Sequence, residues 1–271
     1  KIIFGEDTLK AEMRLKGHML DHVKGEKWSY RVKVKKGKKL FGMRKFTLQH
    51  PGTRNYAYEW LYHQMMKSED IMALRYDYIT VELNGKNLGI YALEEHFTQD
   101  LVENNNRPFG TILRFNPTLY WQGRIMRDKE KLRFEEEFSG YNGSFPDAYD
   151  RKATFSDSLL RLSYLEAQSK LEQFKLKKLK TSEVFDVAKL AKFHAIIDLI
   201  GGHHSLDWSD VKYYHNTKTK KLEPVAYESF SAHPIKKISA SYQFRADAEN
   251  TGLNFHANLF SDTIFFDAYI K

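Results

Sequence analysis

The sequence predicts an α+β molecule in two lobes, with strands first and helices second. Three observations carry this expectation. Residues 13–17 and 28–34 alternate apolar and polar with period two, and Asn84-Gly85 sits between two further alternating runs. Residues 182–200 instead place Phe185, Leu190, Phe193, Ile196, Ile197 and Ile200 at helical spacing.

Taken in order, Met13–Gly17 and Trp28–Val34 read as two strands of a hairpin joined by a long polar loop. Gly37 and Gly42 bound a turn before a third strand, Arg44–Leu48. Pro51-Gly52 breaks the pattern, Thr53 offers a helix cap, and Tyr56–Lys67 carries Tyr58, Leu61, Tyr62, Met65 and Met66 at helical spacing. Tyr76–Leu83 and Leu88–Leu93 flank Asn84-Gly85, the strongest short-range hairpin signal. Beyond residue 96 the chain reads as mainly helical. Residues 128–138 are dense in charge, 139–150 read as a loop, 156–180 as helical, and Ser182–Ile200 as a helix stopped by Gly201-Gly202. Two short strands, Val211–His215 and Leu222–Tyr227, precede a helical C-terminus.

The chain has 271 residues, 42% of them hydrophobic and 14% aromatic, which supplies a packed core and excludes a disordered or collagen-like chain. Its net charge of +8 is uneven. Residues 24–45 hold ten basic side chains and one acid, so the rest of the chain sums to −1. The absence of cysteine excludes disulfides, thiolate metal sites and cysteine nucleophiles. No apolar run approaches the roughly 18 residues of a membrane span. The start at Lys1 and the stop at Ile270-Lys271 inside an apolar pattern read as a piece of a longer protein, so the compartment stays open.

The phosphate-binding Gly-x4-Gly-Lys-Ser/Thr loop, His-Glu-x-x-His and Gly-x-Ser-x-Gly are all absent. His194, His203 and His204 invite a metal reading, but structural or hydrogen-bonding roles are the simpler expectation. The stretch 201–230 is the most informative. Asp207 and Asp210 lie between a helix end and a strand, and Glu228 ends the partner strand. A hairpin brings its two ends together, so these acids either share one divalent cation or are ordinary polar residues at element ends.

These residues, together with Leu15-Lys16-Gly17, Lys27-Trp28-Ser29-Tyr30, the run Phe41–Leu48, Leu83-Asn84-Gly85-Lys86 and the run Gly89–Phe97, resemble the bacterial CotH kinase-like family, from about residue 10 onward. The resemblance implies an atypical protein-kinase-like fold, with a β-rich N-lobe over residues 1–97 and a mainly helical C-lobe over 98–271. It implies ATP and Mg²⁺ (or Mn²⁺) as cofactors and a protein or other hydroxyl-bearing substrate. In that scheme the 16–26 loop covers the phosphates, and Lys45 grips them while paired with Glu59 on the following helix. Arg44 or Arg114 are the alternatives to Lys45. Glu95, in the lobe connection, either meets the nucleotide or anchors the connection. Asp207 takes the place of the acid that orients the acceptor hydroxyl. Asp210 and Glu228 stand as metal ligands where the family pattern leads one to expect Asn and Asp.

Those two departures keep a catalytically impaired, nucleotide-binding relative in view. A third reading takes Arg31, Lys33 and Lys35, with Trp28 and Tyr30 nearby, as a polyanion-binding face. Nucleic acid ranks below the nucleotide because the basic segment falls where a nucleotide-covering loop belongs. A glycosidase built on Glu94 and Glu95 fails on geometry, because adjacent strand residues point to opposite faces.

Overall fold

The computed structural model describes residues 1–17, 20–130, 140–231, 234–235 and 253–271. Strands β1 (Ile2–Phe4) and β2 (Asp7–Leu9) form a small hairpin that the sequence pattern did not reveal. Then come β3 (Ala11–Leu15), β4 (Tyr30–Val34), β5 (Lys45–Gln49), α1 (Ala57–Ser68), β6 (Met72–Ala73), β7 (Tyr76–Leu83) and β8 (Lys86–Glu95). Asn84 and Gly85 both take positive φ (52° and 81°), the left-handed pair that a two-residue hairpin turn requires. The strands form an antiparallel sheet in the order β3-β4-β5-β8-β7.

The second half contains α2 (Gln99–Asn104), β9 (Ile112–Phe115), α3 (Thr118–Glu130), β10 (Pro146–Ala148), α4 (Arg151–Ser156) and α5 (Ser158–Lys175). It continues with α6 (Thr181–Val184), α7 (Val187–Ile200), β11 (Lys212–Asn216), β12 (Lys221–Ala226), α8 (Leu253–Phe260) and α9 (Thr263–Ile270). Its sheet runs β10-β9-β11-β12-β6, antiparallel except where β6 joins β12 in parallel. The two sheets are therefore stitched together by a two-residue strand from the N-terminal half.

The α+β class is as expected, but the second half is not simply helical. Strands β9 and β10 are too short for alternation to show, and β10 falls inside the stretch read as a loop. Residues 131–138 of the charge-dense run, and residue 139 of the expected loop, lie outside the described residues. The helix expected over 182–200 is broken at Phe185-Asp186. There the Asp186 side chain caps α7 by accepting from the Lys189 amide at 3.1 Å, while its own amide donates to the Leu222 carbonyl at 2.9 Å.

Among the described residues, three apolar clusters hold the fold together. The largest gathers Tyr62 and Met66 of α1, Phe174 of α5, Phe193 and Ile197 of α7, Trp208, Tyr213 and Phe255 between the second sheet and its helices. A smaller one packs Val32, Val34, Phe46 and Leu93 of the first sheet with Leu9, Leu40 and Met43. The third joins Phe97, Leu101 and Val102 to Met72, Ile112, Tyr214 and Val225, fixing the connection between the halves to the second sheet. Among the described residues, no helix is long and apolar enough to cross a membrane.

Candidate active site between the two sheets

The apolar cluster of Val32, Val34, Phe46 and Leu93 occupies one face of the first sheet. By strand alternation the opposite face carries Arg31, Lys33, Lys45, Thr47, Gln49 and Glu94. Thr47, Gln49 and Glu94 are nonetheless buried. Buried polar groups in a sheet are the informative exception, because each must be matched by a partner. For Gln49 and Glu94 the partners are each other and two buried cations. Lys16 Nζ donates to Glu94 Oε1 at 2.7 Å and to Gln49 Oε1 at 3.0 Å, and Gln49 Nε2 donates to Glu94 Oε2 at 3.0 Å. Arg54, with a side chain 2% exposed, lies 3.6 Å from Glu94 and pairs with Glu228 Oε1. Its guanidinium also covers the Phe230 ring at 4.8 Å.

Glu228 reaches this point because β12 ends at Ala226 and the chain turns sharply. Glu228 and Phe230 take φ of 50° and 45°, a left-handed backbone that ordinary side chains seldom adopt and that concentrates at functional sites. The β11–β12 hairpin pairs Lys212 with Val225, so the segment entering β11 lies beside the segment leaving β12. His204, Asp210 and Glu228 thereby offer ligand atoms all within 4.8 Å of one another. His204 Nε2 is 3.5 Å from Asp210 Oδ2 and 3.8 Å from Glu228 Oε2. Ligands held about 2.1 Å from one octahedral ion lie roughly 3 Å apart, so this donor set fits a small divalent cation after a slight contraction. Asp207 adjoins the cluster. Its Oδ1 accepts from the Ser209 amide and hydroxyl, both at 3.1 Å, and the same hydroxyl lies 3.2 Å from Asp210 Oδ2.

The electrostatics are divided. Burial, then the neighbouring Glu228 charge, raises the Asp210 carboxyl above the usual range. Burial also works against ionised Glu228, but Arg54 and Lys16 outweigh it and hold that carboxyl low. Burial lowers the Lys212 ammonium, which donates to the Asp210 carbonyl and rests 5.2 Å over the Tyr227 ring.

The structure brings Asp207, Asp210 and Glu228 together. It does not bring Lys45 to Glu59. Lys45 lies at the end of β5 nearest the connection and pairs with Asp150 at 2.7 Å. Glu59 is fully buried and accepts from the Ser229 amide at 3.0 Å and its hydroxyl at 2.9 Å. The physical reason is position along the strand. Lys45 opens β5, while Gln49 at its far end is the residue adjoining Lys16 and Glu94. Glu59 thus clamps the backbone immediately after Glu228. Glu95 points away from the site into Arg75, whose amide and Nε donate to it at 3.0 Å. It anchors the connection, and its neighbour Glu94 is the one that faces the site. Arg114 sits opposite Lys212 in the β9–β11 ladder, and its guanidinium stacks on Tyr149 at 5.2 Å. Arg44 is tied to Asp100 on α2.

Sequence reasoning missed Lys16, Arg54 and Glu94, and set His204 aside. Lys16 and Glu94 each lie inside a motif that carries the family resemblance, but only the sheet register shows that they share a face. The family model described as CotH kinase protein matches residues 13–229, which include every side chain of this site. Among curated proteins, none matches the chain.

Proposed function

From the chain's membership of the CotH kinase family, we propose that it is an ATP-dependent phosphotransferase moving the γ-phosphoryl group to a Ser/Thr or other hydroxyl with Mg²⁺. The observation that carries this reading is the convergence of Asp210 and Glu228 on one point, with Asp207 tied to Asp210 through the Ser209 hydroxyl and the buried cations Lys16 and Arg54 beside them. The sheet order β3-β4-β5-β8-β7, with α1 inserted after β5, supports a kinase-like N-lobe over residues 1–97. The segment 98–271 then serves as the C-lobe, with β6 reaching across to it.

In this proposal Asp210 and Glu228 hold the cation, and Asp207 accepts a hydrogen bond from the acceptor hydroxyl and aligns it for attack. A bound divalent ion supplies charge neutralisation on the phosphate oxygens. Lys16 and Arg54 take the phosphate-facing place first expected of Lys45, because they are the cations beside Glu228. Glu94 and Gln49 hold Lys16 extended toward that point. Lys45, with Asp150, closes the cleft near the connection, where the nucleotide base would enter. Catalysis of this kind rests on positioning and electrostatics, which a buried, cross-linked charge array provides.

The test is incubation of the full chain with γ-labelled ATP and Mg²⁺, with and without a hydroxyl-bearing protein acceptor. Transfer is expected, and Asp207→Ala is expected to lower it by roughly 10²–10⁴-fold. Transfer indifferent to Asp207→Ala overturns the mechanism. The Arg54 contact on Glu228 favours a second reading, a nucleotide-binding relative without turnover. Nucleotide binding by calorimetry with no labelled product, and product gained only on combining Asp210→Asn with Glu228→Asp, would establish it.

A further inference from the structure

We propose that His204 is itself a metal ligand, and that the site therefore prefers a first-row transition-metal dication to Mg²⁺. The inference rests on reading Asp210 and Glu228 as metal ligands, and not on phosphoryl transfer. Three features of the geometry carry it. His204 Nε2 is the ring atom that approaches both carboxylates, at 3.5 Å from Asp210 Oδ2 and 3.8 Å from Glu228 Oε2. The Glu228 carboxylate is already oriented, with Oε1 committed to Arg54 and Oε2 turned toward the imidazole. The ring is held in place by the Phe230 ring, which meets it edge-on at 4.3 Å between centroids.

A site of two carboxylate oxygens and one imidazole nitrogen differs in kind from an all-oxygen site. Mg²⁺ takes oxygen ligands and keeps several of its waters, so an imidazole offers it little. Mn²⁺, Fe²⁺, Co²⁺ and Zn²⁺ all accept imidazole nitrogen, with affinities rising from Mn²⁺ through Fe²⁺ and Co²⁺ to Cu²⁺ and falling back at Zn²⁺. The exchange of an expected amide for Asp210 adds a negative charge that strengthens binding of any dication. His204 is what discriminates among them.

Mn²⁺ is the probe, because the bound ion leaves the sharp resonance of the free aqueous ion and reports nitrogen ligands by hyperfine modulation. The full chain without nucleotide is titrated with Mn²⁺ and then competed with Mg²⁺, alongside His204→Gln and Asp210→Ala. Glutamine keeps an oxygen donor and removes the nitrogen. Wild type is expected to hold Mn²⁺ more tightly than Mg²⁺ and to show imidazole nitrogen modulation. His204→Gln should lose that modulation and weaken Mn²⁺ by roughly tenfold or more, at least the loss seen on removing an outer-sphere partner, while Mg²⁺ affinity changes little. Circular dichroism confirms that each variant is folded.

Nitrogen modulation unchanged in His204→Gln overturns the inference, as does equal affinity for the two ions in wild type. Unaltered Mn²⁺ binding in Asp210→Ala overturns the metal reading beneath it. Absence of labelled transfer beside intact nitrogen-coupled Mn²⁺ overturns the proposed function and leaves this inference standing.

Discussion

Arg54 is the residue on which the site's charges depend. It is almost wholly buried between Glu94 and Glu228, two carboxylates that would otherwise face each other in a low-dielectric interior. Removing one partner of a buried ion pair is costly because the other charge stays buried and unmatched. Arg54→Met is therefore expected to destabilise the fold by about 3–5 kcal/mol in urea unfolding. The same change in a Glu228→Gln background should cost at least about 1.5 kcal/mol less, because only Glu94 is then stranded. Strict additivity of the two substitutions would show that Arg54 is not the counter-charge of Glu228. Sequence reading placed Asp210 and Glu228 together from hairpin logic alone, since the ends of a two-stranded ribbon must meet. It could not place Arg54, whose turn Pro51–Arg54 lies 174 residues before Glu228 and approaches it only through tertiary packing.

At the scale of elements, legibility followed strength of pattern. The Tyr76–Leu83 and Lys86–Glu95 hairpin was readable because alternation and Asn84-Gly85 agree. Helix α1 was readable from the spacing of its apolar residues, of which Tyr62 and Met66 face the core, whereas Tyr58 and Leu61 are exposed and Glu59 and His63 are buried in their stead. Strands β9 and β10, of four and three residues, are buried almost throughout and show neither period. The break between α6 and α7 was hidden because Phe185 fits the apolar stripe on either side of it, and only the Asp186 cap and its bond to β12 reveal the turn. That cap is testable. Asp186→Ala should cost about 1 kcal/mol of unfolding free energy, the usual value of a helix N-cap. The cost should appear without change in the urea m-value, since the surface exposed on unfolding is the same. A cost within error of zero would mean that the Leu222 bond alone sets the boundary. The expected Lys45–Glu59 pair failed for an element-level reason: side-chain type on the third strand was legible, but the end of the strand that meets the helix was not.

On the scale of the whole molecule, the excess charge located in residues 24–45 becomes part of a face turned toward the second half. Arg31, Lys33 and Lys45 lie on that face of the first sheet, and the connection Glu95–Thr98 runs beneath them. His96 is enclosed there, packed on Phe97 and Tyr149, with neither ring nitrogen hydrogen-bonded. Burial first, then the charges of Arg31, Lys45 and Lys16, lowers its pKa from 6.5 to about 3, with Asp150 opposing them. The unfolded chain therefore takes up a proton near pH 6.5 that the folded chain refuses until about pH 3, so stability is full above 6.5 and falls as pH drops through that window. Asp100, held down at about 2 against the pull of burial by Arg44 and Lys39, stays ionised across the upper part of the window and does not shape it. His194 and His215 are also lowered by burial, so the wild-type slope is a sum and the comparison with His96→Phe isolates one proton. One proton corresponds to about 1.4 kcal/mol per pH unit. Urea unfolding at pH 6 and pH 4 should therefore show His96→Phe losing roughly 2–3 kcal/mol less than wild type on acidification. Parallel losses in the two proteins would mean that His96 accepts its proton in the folded state, and that the junction between the two sheets is open to water.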